Sequence, residues 1–160
     1  MREVFRIGVA GRAIHIRRWP SWEAFDAERP GPIDMPCVLA YADGEVRLEA
    51  TDGAGFEIQR IRVNNGAGSA ARTLIAADLA AWQDAGATVI GSFEIVHGHD
   101  LPARVLILNW TSIEQAGAAQ RTIESDPGAQ ARRRTERTGA HRSAIRISSR
   151  LLGCTLSVAR

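Results

Sequence analysis

The chain writes one short pattern twice. Arg17–Phe25 reads RRWPSWEAF and Leu108–Ala116 reads LNWTSIEQA; in both, a tryptophan is followed after one residue by serine, an apolar residue and glutamate. A serine ahead of a helical stretch accepts a hydrogen bond from a free amide of the first turn, and an acidic residue there complements the helix dipole. The residues before each tryptophan read as strand. Ile14-His15-Ile16-Arg17-Arg18-Trp19 aligns with Val105-Leu106-Ile107-Leu108-Asn109-Trp110, and upstream Phe5-Arg6-Ile7 aligns with Phe93-Glu94-Ile95. Both copies predict strand, loop, strand, cap and helix, as a duplicated unit would.

The remaining elements follow from periodicity and punctuation. Residues 3–9 and 13–19 predict a hairpin turning at Ala10-Gly11-Arg12, with Ile14 and Ile16 on one face and His15, Arg17 and Trp19 on the other. Pro20 stops the second strand and Ser21 caps a helix over 22–29. Cys37–Tyr41, the pair Asp43-Gly44 and Val46–Leu48 predict a second hairpin with a type I′ turn. Beyond a linker at 51–55, strands are expected at 56–63, 88–96 and 104–110, and one or two extended segments within 144–158. Helices are expected over 70–85, capped by Ser69 and closed by Gly86, from Ser112 to Ile123, and over 127–138 behind Asp126-Pro127.

From 56 to 160 the order is strand, helix, strand, strand, helix, strand, that of a ferredoxin-like α+β unit. Residues 1–50 read as an incomplete N-terminal copy with two hairpins and one short helix. An antiparallel sheet with helices on one side leaves its other side bare. The fold expected is therefore α+β, with ferredoxin-like sheets packed face to face as an α+β barrel around a small-molecule cavity. The missing opening strand of the first copy leaves a free edge, so a homo-oligomer is expected as well.

Composition narrows the classes. Apolar residues make up 45% and charged residues 24%, as in globular domains. No apolar run approaches the roughly 18 residues of a membrane span, so no membrane partner is expected. The N-terminus alternates and has no secretory apolar core, so a cytoplasmic protein is expected, with Cys37 and Cys154 reduced. All 20 basic side chains are arginine and the net charge is +2, too little to argue for nucleic acid. Arg132, Arg133, Arg134, Arg137 and Arg142 lack interleaved aromatic residues and read as a solvated helix face. No phosphate cradle, nucleophile elbow or Cys-x-x-Cys occurs, so no organic cofactor is expected.

The stretch ATVIGSFEIVHGHDLPARVLILNWTSIEQ, followed by DPGAQARRRTER, resembles the NIPSNAP-like branch of the dimeric α+β barrel superfamily. The residues that carry the resemblance are Gly91-Ser92-Phe93, Trp110 with Ser112, and Asp126-Pro127 followed by Arg132 to Arg134. Gly128-Ala129-Gln130 stands where such proteins often place an aromatic residue, and the first copy is truncated. The resemblance implies homodimers that enclose a small hydrophobic ligand. It also implies cofactor-independent chemistry of the monooxygenase, cyclase or isomerase type, or binding without chemistry.

The candidate site residues follow from the two copies. His15 and Arg17 stand where the other copy has leucines; facing the interior, they would supply an acid–base group and an anion holder beside Trp19, and on an exposed face they would be merely solvated. Asn109 and Trp110 resemble pocket residues of the superfamily's monooxygenases, although the large area of an indole favours core packing for Trp110. Tyr41 is a possible proton donor. His97 is a second catalytic candidate, and His97-Gly98-His99-Asp100 has the chemistry of a metal site but no third histidine nearby, so no metal is expected. The reading is an enzyme for a hydrophobic, aromatic or polyketide-like molecule; the alternative is a non-catalytic ligand-binding or assembly module. A polar interior favours the first and a packed apolar interior the second.

Overall fold

Alternating apolar side chains set the strands, and a three-to-four-residue spacing sets the helices. The computed structural model describes residues 2–10, 13–28, 31, 37–49, 55–98, 101–138, 144–152 and 155–159. Its elements are β1 (Val4–Ala10), β2 (Ala13–Trp19), α1 (Trp22–Glu28), β3 (Cys37–Ala42), β4 (Gly55–Val63), α2 (Gly68–Asp84), β5 (Thr88–His97), β6 (Ala103–Trp110), α3 (Ile113–Ser125), α4 (Pro127–Thr138), β7 (Ala144–Leu152) and β8 (Thr155–Ala159). Among the described residues, no helix is long and apolar enough to cross a membrane.

The fold is α+β, with one mixed eight-stranded sheet in the order β7-β4-β6-β5-β3-β1-β2-β8. This corrects the expectation of two sheets stacked face to face. The cause is β3, which pairs antiparallel with β1 on one side and with β5 on the other, so the halves join edge to edge. The second hairpin is also corrected. After Asp43-Gly44 the chain does not turn back on β3 but runs on beside β5, where the Asp43 amide donates to the Ser92 carbonyl and the Arg47 amide to the Ile90 carbonyl, both at 2.8 Å. Val46 and Leu48 gain burial by this path, because both pack on the core beneath β5.

The sheet is rolled. β7 and β8 are its two edges, yet only three peptide steps separate Leu152 from Thr155. Three steps reach at most about 11 Å, whereas eight strands laid flat would put their edges about 34 Å apart. β7 pairs with β4 and β8 pairs parallel with β2; among the described residues no pairing joins β7 to β8, so the sheet stays open rather than closing as a barrel. The free edge of β2 is thus covered by β8 of the same chain.

Rolling makes the helix-free face the inside. Phe5, Ile7, Ile14, Ile16, Ala40, Phe56, Ile90, Phe93, Ile95, Ala103, Val105 and Ile107 form one buried cluster there, drawn from both halves. Phe5 and Phe93, which occupy matching positions of the duplicated pattern, meet edge to face with centroids 5.3 Å apart. The intervening strand offers only Ala40 and Ala42 opposite them, and small side chains there give the rings room to meet. Gly91 is needed for the same reason: a β-carbon on it would lie 2.7 Å from the Phe93 ring.

The outer face carries the helices. α2 covers Ile61, Val63 and Leu106 with Ala71 and Ile75. Leu108 and Trp110 pack against Trp82 of α2, Ala116, Ala119 and Ile123 of α3, and Ala129 of α4. The expected caps form on three helices. Ser21 Oγ accepts from the Ala24 amide at 3.2 Å, Ser112 Oγ from the Gln115 amide at 3.0 Å, and Asp126 from the Ala129 amide at 2.6 Å. α2 differs: its N-cap is Ala67 and it has no side-chain cap, while Ser69 lies inside the helix. Ala67 is buried in the core with Ala71 and Ile75, so docking fixes where the helix starts. Gly86, at φ 94°, ends α2 as the sequence pattern requires.

Candidate functional site on the outer face

Hairpin register decides which side chains meet. The β1–β2 turn pairs Ala10 with Ala13, which sets Arg6 opposite Arg17 and Gly8 opposite His15. β3 sets Cys37 on the other side of Gly8, and β8 sets Ser157 beside His15 and Ala159 beside Arg17. These residues share the outer face, and with Ile16 they line an open depression of about 190 Å³. Gly8 forms its floor, since a residue without a side chain leaves a trough between His15 and Cys37.

The sequence therefore sorts β2 correctly into two faces, and of the two orientations open to His15 and Arg17 the structure takes the outer one. Ile14 and Ile16 face the inside at 0% and 1% exposure, and His15 and Arg17 lie on the outer face. The inside is filled by aliphatic and phenylalanine side chains from both halves. The polar convergence is outside, where the second half has Leu106 and Leu108 under helices.

Electrostatics make the depression cationic. Arg6 and Arg17 are direct cross-strand neighbours, an arrangement of like charges that is destabilising unless compensated. Compensation comes from Trp19, whose ring lies 5.4 Å from the Arg6 guanidinium carbon and 5.0 Å from that of Arg17. It comes also from Glu28 at the end of α1, which accepts from Arg17 through Oε1 and from the Trp19 indole N–H through Oε2. One carboxylate, bonded to Arg17 alone of the two guanidinium groups, thus stands against two positive charges, leaving a positive excess beside His15.

Trp19 is 3% exposed and closes the end of this region, packed edge to face on Phe25 at 5.1 Å. Tyr41 lies on the same outer face, two strands from β2, where its hydroxyl accepts from the Trp22 indole N–H and Arg2 lies over its ring at 5.5 Å. Its role there is to seat α1.

The other expected site residues are elsewhere. Trp110 is a core residue of the helical layer, edge to face with Trp82 at 5.8 Å, and its indole N–H donates to buried Glu57 at 3.2 Å. Asn109 is buried on the inner face, and its Nδ2 has no hydrogen-bond partner among the described residues. Neither reaches β2, because β5, β3 and β1 lie between. His97 is exposed at the end of β5 opposite Leu39, apart from His15. His99 and Asp100 lie outside the described residues, among which no cluster of metal-ligating side chains occurs.

A second polar group occupies the centre of the outer face. Arg104, 3% exposed, pairs with Asp43 and lies 3.8 Å from Glu94. Burial pushes its guanidinium below the usual arginine range. The carboxylates favour the charged form, and the pairing pins the segment after β3 to β5 and β6.

Sequence reasoning missed Arg6, Cys37, Ser157 and Glu28. The first was within reach: a two-residue turn after Ala10 fixes Arg6 against Arg17 by counting. Ser157 and Glu28 depend on a strand and a helix end that local pattern does not dock. Compared with known protein families and with curated proteins, the chain matches none.

Proposed function

We propose that this chain binds a small organic anion on the outer face of its first half, with Arg6 and Arg17 holding the negative group and His15 beside it as proton donor or acceptor. The observation that carries this is the register: two guanidinium groups and an imidazole converge around an open depression with a glycine floor. Ile16 and Ala159 give the ligand's body an apolar wall. In this form the reading keeps the expectation of a hydrophobic or aromatic substrate handled without an organic cofactor, and moves it from the inside of the sheet to the outside.

The architecture supports the reading. The order β7-β4-β6-β5, with helices on one face, corresponds to a ferredoxin-like unit, and β1, β2 and α1 to an incomplete second one. This layout and the motif at Gly91, Phe93, Trp110 and Ser112 favour kinship with the dimeric α+β barrel superfamily and its NIPSNAP-like branch. Ligand binding without chemistry is the second reading, favoured by the packed inner face.

Titration of the isotopically labelled protein with benzoate, against benzyl alcohol as neutral control, tests the site by NMR. Benzoate is expected to shift the amides of Gly8, His15 and Ser157, and benzyl alcohol to leave them in place. Arg17→Leu, which installs the residue of the second copy, is expected to weaken benzoate about tenfold or more, as losing one charged hydrogen bond does. Equal affinity in Arg17→Leu would overturn the proposal.

A further inference from the structure

Among the described residues, Glu28 is the one acidic side chain paired with Arg17 and Trp19, and its geometry is that of a ligand. Its two oxygens are divided between two donors on β2, Oε1 on the Arg17 guanidinium and Oε2 on the Trp19 indole N–H. A planar carboxylate therefore fits this pair of donors. Among the described residues, its own helix does not favour a carboxylate there. Glu28 is the last residue of α1, the helix end where the dipole disfavours negative charge, and the last turn holds no basic residue. Its side chain is 40% exposed and that of Arg17 is 32% exposed, so water competes for the pair and holds it weakly.

Resting on the reading above, we propose that Glu28 is an intramolecular stand-in for the ligand's own carboxylate, so that the site selects carboxylic acids and Glu28 sets their affinity by competition. An incoming carboxylate takes the Arg17 and Trp19 donors, and Glu28 swings into solvent. Arg6, which has a tryptophan ring rather than a carboxylate as its partner among the described residues, supplies the surplus charge that draws the anion in. No bond is made or broken in this exchange. A ligand that binds only the fraction of molecules with the donors free has its apparent dissociation constant raised by that fraction.

Glu28→Gln keeps the side chain's shape and removes its charge. It is expected to tighten benzoate by roughly fivefold, the size that a part-exposed ion pair supports. The Trp19 indole N–H resonance, assigned with a Trp19→Phe variant, is expected to move on the substitution alone and to move again when benzoate binds. Inorganic phosphate, a tetrahedral anion, is expected to gain less than benzoate. An equal gain for both anions would mean that the site senses charge without carboxylate shape, and would overturn the assigned ligand class. Unchanged benzoate affinity in both Glu28→Gln and Glu28→Ala, with Arg17→Leu still disabling, would overturn the competitor role and leave the anion site standing. Failure of wild type and every Glu28 variant to bind either anion would instead overturn the functional reading beneath it.

Discussion

The hairpin β1–β2 with α1 and the hairpin β5–β6 with α3 use matching residues for matching tasks. Phe5 and Phe93 face the core, Trp19 and Trp110 close the second strand, and Ser21 and Ser112 cap the helix that follows. Each tryptophan even donates its indole N–H to a glutamate, Glu28 in the first half and Glu57 in the second. The halves part at two positions. Where the second half has Leu106 and Leu108 under α2 and α3, the first has His15 and Arg17 beside an open depression. The second half has a 17-residue helix, α2, before its hairpin; the first has none among the described residues. A helix lying on a strand demands apolar side chains beneath it, and where that helix is missing the same positions are released to polar residues. The candidate site thus lies where none of the described helices covers the sheet.

The strongest way to break the comparison is at the point where the halves touch. Phe93→Ala removes a fully buried ring that packs on its counterpart Phe5. It is expected to cost about 3–5 kcal/mol, most of the stability of a marginal domain. Urea unfolding should lose both halves in one transition. Separate transitions with Phe93→Ala affecting one alone would mean that the inner cluster is not a shared core.

The tryptophans sharpen the comparison at smaller cost. Trp110→Phe deprives buried Glu57 of a donor and is expected to cost about 1–3 kcal/mol. Trp19→Phe deprives Glu28, which water can serve, and is expected to cost less than about 1 kcal/mol. Equal losses in thermal unfolding would contradict the assignment of one indole N–H to a buried carboxylate and the other to a carboxylate that water reaches.

The smallest effect lies in the caps. Hydrogen bonding lowers the Glu114 carboxyl below the ordinary glutamate value, first to its own backbone amide and then to Ser112; for Glu23 the first cause is Ser21, followed by its own amide. A carboxyl depressed by folding contributes stability above its unfolded value and loses it as pH falls through the lowered one. NMR titration should find both below the normal range, and Ser21→Ala and Ser112→Ala should each raise the neighbouring carboxyl. A titration unmoved by either substitution would remove the serines from the cause.

Much of this comparison is already readable in the sequence, because it depends on local pattern. Alternation sorts Ile14 and Ile16 from His15 and Arg17, and Ser21, Ser112, Asp126 and Gly86 mark helix ends. Alternation names two faces without saying which is inside. That choice is made by β3, whose pairing with both β1 and β5 joins the halves and rolls the sheet around Phe5 and Phe93. Local signals also fail where distant contacts outweigh them. Asp43-Gly44 has the chemistry of a hairpin turn, but β5 offers the following residues better burial. Ser69 has the chemistry of a cap, but Ala67 docks first. Trp110 has the profile of a pocket residue, and only Glu57, far away in the chain, reveals what its indole N–H serves.

The parallel pairing of β2 with β8 has a consequence for a chain made from its N-terminus. β2 emerges well before the strand that completes it, since β8 begins 136 positions after β2 ends. Until β8 follows, the early hairpin therefore carries a row of unmatched amide and carbonyl groups, open to any other extended segment. Charged side chains on an edge strand disfavour such pairing, and β2 carries two of them in Arg17 and Arg18.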